Sequence, residues 1–187
     1  MPWLELKRHP SAPCAFVRAA AVRAGRSGGS QRLSFRYRIE GDLDELRLPD
    51  PRPSAAADGL WRHTCFEAFA QAGDARAYLE LNFSPSGEWA IYAFDDYRNG
   101  MQPRAPHRGP EIATRRAGDV FELEAAVDFE GLFTEWPPAA GLRLALSAVL
   151  EDRQGRLSYW ALAHPSERPD FHHPESFALH LPLGAPA

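Results

Sequence analysis

The chain has 187 residues, a formal net charge of −4, 44% hydrophobic residues and 2 cysteines. That length suits a single domain, residues 1–187, large enough to bury a core without disulfides or a structural metal. The mild negative charge gives no electrostatic footprint for nucleic acid or a membrane surface, and neither is expected as a partner. Cys14 and Cys65 stand too far apart to suggest a disulfide framework. The opening MPWLELKRHP has no apolar run of signal-peptide length, and no stretch is long enough to cross a bilayer. A cytoplasmic location with free thiols is the expectation.

With 17 prolines and 14 glycines, turns should be frequent and long helices absent. Residues 14–25, CAFVRAAAVRAG, are dense in apolar residues and fit either a strand or a short helix. From there period-two alternation dominates. Leu33, Phe35, Tyr37 and Ile39 share one face of LSFRYRIEG. After a polar loop at 48–60 come HTCFEAFAQ (63–71), AYLELNFSP (77–85) and EWAIYAFDD (88–96), the last two joined by a tight turn in SPSGE. A turn at Asn99-Gly100 opens a second long polar loop over 98–118. Alternation returns in DVFELEAAVDF (119–129) and LRLALSAVLED (142–152), then in LSYWALAH (157–164) and SFALHLPL (176–183). Between the first two, a short helical turn should stop at Pro137 and Pro138. Gly155 suits a hairpin turn before LSYWALAH. Strands at this spacing predict an all-β fold, an antiparallel sandwich of jelly-roll or immunoglobulin-like type with about 8–10 strands.

Alternation also sorts the central side chains. Phe66, Ala68 and Ala70 belong with the core, as do Leu79, Leu81 and Phe83. His63, Cys65, Glu67 and Phe69, with Tyr78, Glu80 and Asn82, then fall on the opposite face. A face that simply met water would carry Ser, Thr, Lys and Arg. This one mixes carboxylates with rings, the composition of a small-molecule site. In that reading Glu67, Glu80 and Asn82 orient polar atoms of a ligand, and Arg98 pairs an anion or a sheet carboxylate. Trp89, Tyr92 and Trp160 supply apolar contact area.

The segments GLWRHTCFEAFAQ, AYLELNFSPSGEWAIYAFDDYRNGM and PDFHHPESFALHLPL together resemble DOMON-like domain proteins, which share a general plan with the family 9 carbohydrate-binding modules. An acidic Glu-x-Phe strand is matched by Glu67 to Phe69. The pattern Tyr-x-Glu-x-Asn-x-Ser-Pro-x-Gly is matched by Tyr78 to Gly87, and the likeness runs over about residues 55 to 183. The resemblance implies a β-sandwich that holds a ligand, typically a sugar or heme. By the same analogy Trp61, Trp89 and Trp160 are stacking platforms, and the loop HPSERPDFHHPESF helps close the site. A saccharide is the leading ligand, and the protein is expected to bind rather than catalyse.

Other chemistries compete. Heme would draw on Met101 with His164, His172 or His173, but a lone methionine in a proline-rich loop leaves no cofactor as the expectation. Asp170, His172, His173 and Glu175 suggest a metal, yet adjacent histidines on an extended chain point opposite ways. Asp95, Asp96 and Asn99 lack calcium-loop spacing. Cys65 beside His63 suggests an activated thiol, against the commoner reading of a packed, inert cysteine. Glu67 and Glu80 could serve a small glycoside hydrolase. There is no nucleophile elbow, phosphate loop or dinucleotide fingerprint.

Overall fold

The structure is a computed structural model and describes residues 1–26, 31–133 and 141–182. It is a two-sheet sandwich. The described residues form thirteen strands: β1 Leu4–Glu5, β2 Lys7–Arg8, β3 Val17–Arg26, β4 Arg32–Gly41, β5 Cys65–Ala72, β6 Tyr78–Phe83, β7 Trp89–Phe94, β8 Gln102–Pro103, β9 Glu111–Ala117, β10 Val120–Asp128, β11 Leu142–Glu151, β12 Leu157–Ala161 and β13 Leu179–Leu181. The smaller sheet runs β1-β3-β4-β10-β9. The larger runs β2-β12-β11-β5-β6-β7-β8, with β13 also on β11. All named strand pairings are antiparallel. No helix among the described residues is long and apolar enough to cross a membrane.

Alternation fills the space between the sheets. Phe35, Tyr37 and Ile39 of β4 and Phe121 and Leu123 of β10 face Phe66, Leu79, Leu81 and Phe83 of the larger sheet, all in one buried cluster. Burying a side chain of this size is worth about 1.5–3 kcal/mol, so this layer carries most of the folding drive. Most of the segment 14–25 lies in strand β3, from Val17 on, since Val22 and Ala24 alternate into the same core. The N-terminal arm pairs with both sheets, β1 on β3 and β2 on β12, with Leu6 buried between them.

The hairpin turns form where glycine allows a positive φ: Gly87 at +96° between β6 and β7, and Gly155 at +80° between β11 and β12. One expectation fails. The loop assigned to 98–118 contains the edge strand β9, paired along β10. Most of its side chains are exposed, so no buried face imprints period two on its sequence. The helical turn expected before Pro137 and Pro138 falls largely on residues outside those described.

A polar bond crosses the sandwich: the buried Tyr37 hydroxyl donates to the Glu67 backbone carbonyl at 2.6 Å. It ties the smaller sheet to the strand that carries Glu67. Tyr37→Phe should lower the unfolding free energy by about 1 kcal/mol and leave the urea dependence unchanged. Urea unfolding of the pair measures this, and an unshifted midpoint would mean the bond adds nothing net.

Candidate functional site

Strands β5, β6 and β11 are buried on both faces. Their second face belongs to a separate apolar cluster that includes Phe69, Tyr78, Tyr92, Phe94, Val149, Phe171 and Phe177. This layer has no third sheet. It is covered by the one-turn helix Leu60–Arg62, which brings Trp61, and by the loop before β13, which brings Phe171, His172 and Phe177. The loop expected to close the site therefore does lie over this face.

Register places the polar groups. One row across the sheet reads Ala161, Ser147, Glu67, Asn82, Ala90; the next reads Ala145, Phe69, Glu80, Tyr92. Glu67 and Glu80 are thus diagonal neighbours on β5 and β6. Ala90, Ala145, Ser147 and Ala161 are too short to overtop them. Above this floor lies a cavity of about 500 Å³, within the roughly 300–1,000 Å³ usual for small-molecule sites. Trp61, Phe69, Phe94, Tyr159 and Phe171 supply its rings. Glu67, Glu80, Arg62, Arg98 and His172 supply its polar groups.

The carboxylates are only partly satisfied. Glu67 is 3% exposed, and among the described residues its carboxylate accepts one hydrogen bond, on Oε2 from Ser147 Oγ at 3.2 Å. Glu80 accepts Asn82 Nδ2 at 2.7 Å on Oε1, while Oε2 faces His172 Nε2 at 3.6 Å, beyond a hydrogen bond. Burial raises the pKa of both, and the charge of Glu80 pushes Glu67 further up. His172 is wedged edge-on against Phe69 and Phe94 at ring separations of 5.0 and 5.1 Å. Burial, then the Arg98 charge, lowers its pKa to about 4, so the ring is neutral near pH 7.

A hydrogen-bond chain fixes that ring. The Tyr78 hydroxyl accepts the Arg98 backbone N–H at 3.2 Å and lies 2.8 Å from His172 Nδ1. Burial first of all pushes the phenol up to about 12, so it keeps its proton near neutral pH. The other ring nitrogen, Nε2, faces Glu80. Asp170 latches the loop. It accepts Arg98 Nη2 and the His172 N–H on Oδ1, at 2.8 and 3.1 Å, and the Tyr97 hydroxyl on Oδ2. These bonds outweigh burial and hold its carboxyl below the usual range.

Of the residues read from sequence, Glu67, Glu80 and Arg98 line the cavity. Arg98 ion-pairs with the loop residue Asp170 rather than with a sheet carboxylate. Asn82 is fully buried beneath and holds Glu80. Tyr92 shares the face, with its hydroxyl on Asp58 and its ring 5.9 Å from Trp61. Trp89 and Trp160 do not join them. Both pack with the core between the sheets, and Trp160 Nε1 donates to Ser158 Oγ. Parity explains this: Trp89 alternates with Ile91 toward the core, and Tyr159, not Trp160, faces the cavity. Sequence reading missed Tyr159, Phe94 and Phe171. The parity of β7 and β12 held the signal for the first two, while Phe171 sits on a loop without periodicity.

The competing chemistries find little here. Cys65 is fully buried and its thiol is pushed up, first by burial and then by Glu67 and Glu80, while His63 pairs Glu151 instead. His173 caps its own turn by accepting the Glu175 N–H, away from His172. No group of three or more metal-ligating side chains occurs among the described residues. Met101 and His172 do line the same cavity. One nitrogen of His172 lies against the Tyr78 hydroxyl and the other faces Glu80.

No family model and no curated protein matches the chain. Solved structures do. One, described as a "putative carbohydrate-binding protein" from Bacteroides uniformis ATCC 8492, aligns at TM-score 0.64 and 14% identity, over 92% of this chain and 81% of its own. A family 9 carbohydrate-binding module from Caldicellulosiruptor kristjanssonii aligns at 16% identity in complexes with glucose (TM-score 0.48, 86% of this chain and 73% of that) and with cellotriose (0.49, 86% and 72%). The first of these shares the sandwich fold with this chain.

The low pKa of His172 has a consequence for stability. Below its ordinary 6.5 the unfolded chain takes up a proton that the folded chain refuses. Stability should therefore fall as pH drops from 6.5 toward about 4, by up to about 3 kcal/mol from this group. The raised carboxyls act oppositely, since the stability they contribute is lost as pH rises above the ordinary carboxylate range. Urea unfolding of wild type and His172→Gln across this window isolates the histidine. Parallel curves would refute the assignment.

Proposed function

We propose that the protein is a non-catalytic receptor for a small saccharide, held in the cavity on the second face of the larger sheet. The observation that carries this reading is the joint presence of five rings and two partly unsatisfied carboxylates around one space of about 500 Å³. Rings offer flat apolar area to the C–H faces of a pyranose. Carboxylate oxygens accept from its hydroxyls, adding to the single donors that Ser147 and Asn82 supply. The latch from Asp170 to Arg98, Tyr97 and the loop backbone would keep the wall in place before a ligand arrives, lowering the ordering cost of binding. The shared fold with a protein described as carbohydrate-binding supports the reading, as does the Tyr78–Gly87 motif that suggests DOMON-like kinship.

Calorimetry against a panel of mono- and disaccharides tests the proposal. At least one should bind and raise the melting temperature at millimolar concentration. Trp61→Ala should then weaken it by about tenfold through lost stacking area. If no saccharide in the panel produces heat or a thermal shift, the reading is wrong.

A further inference from the structure

The floor of the cavity has an electrostatic imbalance that a neutral sugar would leave in place. Glu67 and Glu80 stand diagonally on adjacent strands, both more than nine-tenths buried, and both line the cavity. Neither has a cation at hydrogen-bond distance. Arg98 is committed to Asp170, and His172 presents a neutral ring at 3.6 Å from Glu80. The other groups around the pair are uncharged donors: Ser147 Oγ on Glu67, Asn82 Nδ2 on Glu80, and the Cys65 thiol, 3.6 Å from the Asn82 side-chain oxygen. Arg62 lines the cavity but is exposed to solvent. Tyr92 gives its hydroxyl to Asp58.

Two adjacent buried carboxyls with no cation in contact, eased only by the charge of Arg98 beyond hydrogen-bond reach, repel each other when both ionise, and they relieve this by holding a proton. A ligand bearing a positive charge relieves it better, because each N⁺–H···O⁻ bond is about twice as strong as its neutral counterpart. The rings above the floor favour the same guest, since cations are attracted to aromatic faces.

We propose that the ligand is an amino sugar whose protonated amine sits between Glu67 and Glu80 while its ring lies against Trp61, Tyr159 and Phe171. This rests on the cavity being a saccharide site. The burial and mutual repulsion that raise the Glu67 carboxyl agree with it. On binding, the ammonium takes the place of the proton held by the carboxyl pair, and that proton leaves to buffer.

Calorimetry with the matched pairs glucosamine and glucose, and galactosamine and galactose, tests this just below neutral pH. The amino sugar of at least one pair should bind about tenfold more tightly than its neutral partner. Its binding should release a proton, seen as a heat that changes with the ionisation enthalpy of the buffer, while the neutral partner's should not. Glu67→Gln should bring the affinity ratio of the pair to about one; if that variant does not fold, the wild-type ratio and proton count decide. Neutral sugars binding as tightly as amino sugars, equal proton counts, or binding confined to other saccharides would overturn the proposal and leave the saccharide reading standing. If no saccharide binds at all, both fall.

Discussion

The structure depends on one geometric constraint: strands β5, β6 and β11 are covered on both sides. A strand sends alternate side chains to opposite faces. One set fills the space between the sheets with carbon. The other set must be buried by something that is not a sheet, and the chain uses a one-turn helix and an irregular loop. Irregular chain packs less evenly than a facing sheet, so the second layer leaves a space above its floor. The cavity follows from that asymmetry, and Glu67 and Glu80 lie at its base because their parity sends them there.

The loop stays in place through a few polar contacts that converge on Asp170, which binds Arg98, Tyr97 and the backbone of His172. Arg98 has φ +51°, a left-handed conformation uncommon for a residue with a side chain. Its backbone N–H is held by Tyr78 and its guanidinium by Asp170, so both ends of the residue are fixed while the main chain is bent. Such local strain, on the order of 1–3 kcal/mol, persists where surrounding contacts over-determine it. The turn from Asp95 to Gly100 and the covering loop are thereby one unit, and the cavity wall is set without a guest.

Much of this was legible in sequence, for a physical reason. Period two survives wherever one face is buried, so the strands, the inter-sheet core and the placing of Glu67, Glu80, Asn82 and Tyr92 on a common face could all be read from alternation. The family analogy that puts Trp89 and Trp160 at the site conflicts with parity: Trp89 and Tyr92 lie three residues apart and so face opposite ways, and both tryptophans pack with the inter-sheet core. Strand β9 was illegible because neither of its faces is buried enough to pattern the sequence. Phe171 and the Arg98–Asp170 pair were illegible for a different reason: they join segments 72 residues apart through contacts that no local period encodes.

The second face would be simpler to build from apolar residues alone. Replacing buried ionic groups with packed hydrophobic ones is often neutral or stabilising, and a buried carboxylate with few partners is a burden that the fold reduces by raising its pKa. Asn82 and Ser147 ease that burden without removing it, since each supplies one donor to a group that can accept several. A fold that needed these positions only for packing would have no reason to leave acceptor capacity at the base of a space lined by rings. The remaining capacity acquires a physical role once a guest supplies donors. The same desolvation that weakens the empty protein then strengthens each bond to the guest, because attraction between charges grows as the local dielectric falls. Under the proposed function, stability and occupancy are coupled in this layer, while the inter-sheet core has no such dependence.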